Sequence, residues 1–160
     1  MTSFLIVDAQ SVKNIDTAES KGYDACKKVR GIKRPIAVDT QGLPHAIGVS
    51  TANVNDRQAG VEALETHKDD LKKVETVLVD GGYSGEAFAQ CVQESIDAKV
   101  EVAKRSELHK FAVIPKRWVV ERSFAWIEQC RRLWKNCERK LNSSLHMLIL
   151  AFIRLLLVKS

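Results

Sequence analysis

Asp8, Asp80 and Glu121 are the residues of this chain whose type and setting could do chemistry. Asp8 closes the apolar run that starts the chain. Asp80 closes a second run, Val74-Glu75-Thr76-Val77-Leu78-Val79, and is followed at once by Gly81-Gly82-Tyr83. A carboxylate at the tip of a buried strand is poorly solvated unless something positive meets it. In open sheets, sites form outside the carboxyl ends of parallel strands, so neighbouring strands would bring Asp8 and Asp80 together. Two carboxylates held close repel, and a divalent cation relieves that repulsion. Hard oxygen donors favour Mg²⁺ or Mn²⁺. With Glu121 as a third ligand, such a set could hold two metal ions about 3.5–4 Å apart. One would activate a water or hydroxyl, and the other would steady the leaving oxygen in phosphoryl transfer. The competing reading is that Asp8 and Asp80 only end strands and cap turns. Asp39 also ends an apolar run, but the tight turn after it explains it without chemistry.

Those acids need two strands and a helix to position them. The helix is predicted from Pro115 to Lys140, because Val120, Phe124, Ile127, Cys130, Trp134, Cys137 and Leu141 form one apolar stripe at helical spacing. Proline suits a first helical position. A second stripe, Arg117, Glu121, Glu128, Arg132, Lys135 and Arg139, is mostly basic. Its plain reading is a solvated face with ion pairs one turn apart.

From the N-terminus, Thr2 to Val7 reads as a buried strand, and Ser11 to Gly31 as a long polar loop. Lys33–Asp39 and Leu43–Thr51 read as a hairpin around Thr40-Gln41-Gly42. Asp56 is the expected cap of a helix from Arg57 to His67. Val74–Val79, apolar apart from Glu75 and Thr76, reads as a strand covered on both faces and parallel to a neighbour. Ser84-Gly85-Glu86 opens a helix to Ile96, and Lys99–Ala103 is a further strand. Arg105–Lys110 reads as a charged loop. Ser143 or Ser144 is expected to cap a last helix. Three early strands followed by alternating helices and strands give an α/β chain: a mixed sheet with an antiparallel start and parallel strands, flanked by helices, in one domain.

The net charge of +5 is unevenly placed. Lys110–Lys140 carries nine Lys/Arg against three acids, and Lys21–Pro35 carries six against one. Segregation of this kind points to a polyanion surface. The four cysteines show no metal-binding spacing and read as reduced thiols of a cytosolic protein. No signal peptide is evident. The run Leu145–Val158 is apolar but too short to span a bilayer, so no membrane partner is expected.

Several blocks then coincide with one family. These are Val7-Asp8-Ala9-Gln10-Ser11-Val12-Lys13, Gly31-Ile32-Lys33-Arg34, Val38-Asp39-Thr40-Gln41-Gly42, Ala52-Asn53-Val54-Asn55-Asp56, Val79-Asp80-Gly81-Gly82-Tyr83 and Arg117-Trp118-Val119-Val120-Glu121-Arg122-Ser123-Phe124-Ala125-Trp126. In this order they resemble the catalytic domain of DDE transposases from bacterial insertion sequences. The resemblance implies a ribonuclease-H-like fold and a triad on Asp8, Asp80 and Glu121 binding two Mg²⁺ (or Mn²⁺). Arg117 matches the family's arginine four residues before the glutamate. Ile114 and Glu128 stand where related branches have tyrosine and lysine. The family's N-terminal DNA-end-recognition domain is not seen, so the chain looks like a catalytic half, as from a second reading frame.

The expected function is metal-dependent cleavage at transposon ends and strand transfer into target DNA, in the bacterial cytoplasm at the nucleoid. Lys33, Arg34, Arg117, Arg122, Arg131 and Arg132 are the expected phosphate contacts, with Trp126 or Trp118 stacking on an unpaired base. Double-stranded DNA is the expected partner, along with a second copy or a full-length transposase. The alternatives are an inactive remnant that binds DNA or dimerises, and a nuclease of the same fold.

Overall fold

A computed structural model of the protein describes residues 2–103 and 117–159. The chain runs β1 (Phe4–Lys13), β2 (Gly22–Asp24), β3 (Val29–Val38), β4 (Pro44–Ile47), β5 (Ser50–Thr51), α1 (Asp56–Thr66), β6 (Thr76–Val79), a 3₁₀ turn (Gly81–Tyr83), α2 (Glu86–Ile96), β7 (Lys99–Val102), α3 (Arg117–Glu128) and α4 (Leu141–Lys159). The seven strands make one mixed sheet in the order β2-β3-β1-β6-β7, with β4 and β5 also paired to β3. β1 and β3 are antiparallel, whereas β1, β6 and β7 are mutually parallel neighbours.

The central strands are apolar at successive positions because each face meets its own helical layer. Leu5, Val7, Val77 and Val79 pack with Leu64 of α1 and with Phe88, Val92 and Ile96 of α2. Ile6, Ile36, Val38 and Leu78 pack on the other side with Val120, Phe124 and Ile127 of α3 and with Leu148 and Phe152 of α4. The sheet is therefore the middle of three layers.

Two expectations about the sheet change. β1 does not stop at Val7; it continues to Lys13, paired with β3 from Ile6↔Val38 through Lys13↔Gly31. The expected loop from Ser11 to Gly31 instead contains the end of β1, all of β2 and the start of β3. Its polar residues are compatible with a sheet because they satisfy one another: the Ser11 hydroxyl donates to Asp24 at 2.7 Å, and Lys33 pairs with Asp24 at 3.3 Å and Asp56 at 2.7 Å. Gly31 fits the ladder because a Cβ there would lie 1.9 Å from the Val12 carbonyl oxygen.

The predicted long helix is also divided. Its first residues, including Pro115, lie outside the described ones, as do Ile114 and the loop Arg105–Lys110. α3 ends at Glu128 and gives way to tight turns, with Cys130 N–H donating to Ile127 and Leu133 N–H to Cys130. Trp134 is 60% exposed, so the apolar stripe stops before it. Asn136 is drawn to the sheet: it bridges to Asn14, and its backbone N–H donates to the Lys13 carbonyl at 2.8 Å. Neither serine caps α4. The Ser144 hydroxyl is buried and donates to Asn136 Oδ1 at 2.6 Å. α1 is capped by Asn55, which accepts from Gln58 N–H, leaving Asp56 free to pair with lysines. Gly85 stands at the α2 cap without a side-chain bond.

α4 is longer than its apolar run suggested. Leu141–Val158 has the length and hydropathy to cross a membrane, with 22% of that window buried. Its inner residues Leu148, Ala151 and Phe152 are part of the core, and Leu150, Ile153 and Leu157 face outward.

Candidate active site

The parallel pairing of β1 with β6 puts Ile6 opposite Leu78, so two residues further on Asp8 and Asp80 leave the same end of the strand pair. β6 stops at Val79 while β1 continues, which opens the sheet beside Asp8. Asp8 thus lies within its strand, next to the point where its parallel neighbour ends. Its carboxylate accepts from Ala9 N–H at 2.8 Å. Burial pushes its pKa up to about 6; the Ala9 bond opposes the rise, and the charge of Asp80 adds to it.

Asp80 caps the 3₁₀ turn, accepting from Gly82 N–H at 2.8 Å through Oδ1. A Cβ at Gly82 would sit 3.0 Å from that oxygen, so glycine lets the turn close on the carboxylate. The other oxygen, Oδ2, meets the Arg117 guanidinium at 3.3 Å. The same guanidinium also meets Glu121 one helical turn further on, with Nε to Oε1 at 3.8 Å. Val7, Val79 and Val120 wall the small cleft that holds Asp8, Asp80 and Arg117.

Two of the three predicted acids are therefore brought together, and the third is tied to them through Arg117. Glu121 has a 60% exposed side chain. Among the described residues, no three His, Cys, Asp or Glu side chains converge closely enough to hold a metal ion. The donors that do converge suit a hard divalent cation. They are carboxylate oxygens, one of them on Asp8, whose desolvation outweighs the charges of Lys27 and Arg117 beside it, and Arg117 also contacts Asp80.

The remaining predicted residues divide by burial. Lys33 and Arg34 are 3% and 1% exposed, which corrects their expected role as phosphate contacts. Lys33 is held by Asp24, Asp56 and the Val54 carbonyl. Arg34 donates to the Leu133 carbonyl at 2.5 Å. Burial lowers its pKa to about 10, which leaves it charged at neutral pH. The turns after the end of α3 at Glu128 present the Leu133 carbonyl to that buried cation.

Arg122 lies between the rings of Trp118 and Trp126, 4.6 and 4.7 Å from their centroids, and donates to the Gln41 carbonyl at 2.7 Å. Ser123 donates to the Gly42 carbonyl at 2.8 Å. The β3–β4 turn, with Gly42 at φ +87°, is thus fastened to α3. Two blocks distant in sequence, Asp39–Gly42 and Arg117–Trp126, are one contact in space. Arg132 is bonded to Glu138, and Arg131 is exposed. Glu128 accepts from Gln10 at 2.5 Å.

Two neighbours of the acids carried no site role in the sequence reading. Lys27 donates to the Ala9 carbonyl at 2.8 Å, pairs with Asp56 at 2.9 Å, and lowers the pKa of Asp8 through its charge. It lies in the segment that has no period to mark it. Tyr83 is 1% exposed, packs edge-on against Phe88, and has a buried hydroxyl without a hydrogen-bond partner among the described residues. Burial, together with the charges of Asp8, Asp56 and Asp80, holds that phenol firmly neutral. Its position directly after Gly81-Gly82 was the available signal.

A mixed sheet between two helical layers, with acids at the open end of its parallel pair, is a ribonuclease-H-like architecture. A chain of the simian T-cell lymphotropic virus intasome, solved by cryo-electron microscopy with the PP2A regulatory subunit B56 gamma, superposes with a TM-score of 0.61 at 11% identity over 95% of this chain and 48% of that one. The model of the Transposase DDE domain family matches residues 1–156, and the chain belongs to that family. A Burkholderia cepacia protein, assigned by its name as a transposase for insertion sequence element IS402, is 32% identical over 119 residues, 69% of this chain and 55% of that protein. The chain thus spans about half the length of the curated relative it matches.

Proposed function

We propose that this chain is the catalytic domain of an insertion-sequence transposase, which cuts DNA at the element's ends and joins the freed 3′-hydroxyl to target DNA. The observation that carries the reading is the meeting of Asp8 and Asp80 at the open end of β1 and β6, with Glu121 tied to Asp80 through Arg117. Family membership supports the reaction class. Asp8, Asp80 and Glu121 would hold two Mg²⁺ or Mn²⁺ ions. When bound, such ions supply Lewis-acid stabilisation of the attacking and leaving oxygens.

The chain's own residues do the positioning. Gly82 N–H and Ala9 N–H fix one oxygen each of Asp80 and Asp8. Arg117 is available to take a substrate phosphate in place of a carboxylate, since it lines the acidic cleft and its side chain is partly exposed. Exposed Arg131 and Trp118, on the α3 side, are available to a DNA backbone and an unpaired base. The partners are double-stranded DNA and a second copy or a longer transposase, with the outward face of α4 as the contact; the compartment is the bacterial cytoplasm at the nucleoid.

The test is product analysis with Mg²⁺ on DNA carrying the element's terminal repeats and a separate target duplex. Joined strands are expected. Cutting without joining would make the protein a nuclease, and absence of both would make it an inactive relative.

A further inference from the structure

The far end of β1, β2 and β3 carries a cleft of about 300 Å³ that the acidic site does not use. It is lined by Lys13, Lys21, Lys28 and Arg30, with Asp16 the single acid and Tyr23 and Asn14 among the neutral lining residues. The cations of this half of the chain have sorted themselves. Lys27, Lys33 and Arg34 are engaged by carboxylates or a buried carbonyl. The four at the cleft make no ion pair with any carboxylate among the described residues. Tyr23 is 55% exposed beside them and pairs across the ladder with Arg30. Unpaired cations beside an exposed tyrosine match a sugar–phosphate backbone, which takes hydrogen bonds from Lys, Arg and Tyr side chains.

The register relates this cleft to the acids. Asp8 stands opposite Ile36 on β3, and from Ile36 every second residue, Arg34, Ile32 and then Arg30, lies on the same face of the sheet. Six residues of strand separate Ile36 from Arg30, a span of about 20 Å. Along a duplex rising about 3.4 Å per base pair, that is about six base pairs.

We infer that the cleft of Lys13, Lys21, Lys28, Arg30 and Tyr23 is a second DNA contact, holding the backbone of a duplex about six base pairs from the phosphate at Asp8 and Asp80. It rests on the reading of this chain as a DNA-cutting domain. Its role is to position the duplex: phosphate contacts set register and orientation without reading sequence. Lys28 offers a clean probe. It stands in the left-handed region at φ +53°, where glycine is at ease, so Lys28→Gly removes the charge without adding backbone strain.

The experiment measures affinity of the 160-residue chain for a 30-base-pair duplex across a salt series, with nicking followed in parallel. Lys28→Gly is expected to melt no lower than wild type, and its slope of log affinity against log salt should flatten by about one. Lys28→Gly combined with Arg30→Ala should flatten it by about two and weaken binding about tenfold or more near 0.1 M salt. Lys72→Ala, an exposed lysine paired with Asp69 away from the cleft, serves as the control and should leave the slope nearly unchanged. Unchanged slopes in the cleft variants, in a protein that still binds and nicks DNA, would overturn this inference and leave the catalytic reading standing. An equal loss with Lys72→Ala would show that overall charge is being read, and would also overturn it. A wild-type chain that neither binds nor nicks DNA would remove the catalytic reading and this inference with it.

Discussion

Asp8→Asn is expected to abolish metal-dependent DNA cleavage and to raise the melting temperature. The two effects share one cause. Asp8 is half-buried beside a second carboxylate, and desolvation raises its pKa to about 6 from 3.8. The folded state therefore binds a proton more readily than the unfolded state between those values. Stability falls as pH rises from about 4 through about 6, and stays lower above that. At pH 7.5 the ionised Asp8 is a burden on the fold, which asparagine removes while keeping an oxygen for Ala9 N–H. The gain should be about 1–2 kcal/mol, or roughly 3–6 °C for a domain of this size. The same substitution would withdraw a charged ligand from the proposed metal set, and cleavage should then drop by about 10³-fold or more. The stabilisation should vanish at pH 4, where the wild-type carboxyl is already protonated. Thermal melts at the two pH values, beside a nicking assay, check both halves. A variant that melts lower than wild type at pH 7.5 contradicts the account of Asp8.

Lys33→Met should be among the most damaging substitutions to stability. Lys33 is 3% exposed, and its ammonium is bonded to Asp24, Asp56 and the Val54 carbonyl. Methionine fills the space but leaves Asp24 without its buried counter-charge. Breaking a buried pair from one side costs about 3–5 kcal/mol, or roughly 6–20 °C in melting temperature. The pH profile should change as well. Burial acts to raise the Asp24 pKa but is outweighed by the Lys27 N–H, the Ser11 hydroxyl and Lys33, which hold it at about 2. A depressed carboxyl contributes stability above pH 4 that is lost as pH falls towards 2. Without Lys33 the Asp24 carboxyl is held down less, so less stability should be lost between pH 4 and pH 2, and the substitution should cost less at pH 3.5 than at pH 7. Urea denaturation at pH 7 and pH 3.5 measures both effects. A change below about 1 kcal/mol at pH 7 would mean that the buried charges are not held as described.

These two residues also mark how far the chain could be read before its structure was known. Asp80 was legible because a continuous apolar run, a carboxylate and two glycines leave few other arrangements; β6 and α2 lie where period and turn residues put them. Asp8 was legible as an acid beside a core strand, although the strand runs on past it. Lys33 and Arg34 were not. A lysine and an arginine in a basic segment look like surface, and only the return of Asp24, Asp56 and the Leu133 carbonyl from elsewhere in the chain puts them inside. The break after Glu128 was hidden for the same reason. The apolar stripe continues in sequence, while the bonds that end the helix, Asn136 to Asn14 and Leu133 to Arg34, are made with distant partners. Local pattern reports burial on one element. It is silent on which polar groups will meet, and in this protein those meetings set the extent of β1 and the length of α3.

The acidic site itself is tested most directly by Mn²⁺ titration followed by electron paramagnetic resonance, comparing the wild-type chain with Asp8→Asn, Asp80→Asn and Glu121→Gln. Wild type should bind Mn²⁺ at pH 7.5 and progressively lose it as pH falls through about 6, where Asp8 takes up a proton. Each variant should weaken binding, the two aspartates most, since those carboxylates already meet in the fold. Binding that is unaffected by both aspartate substitutions would place the metal elsewhere and contradict the site.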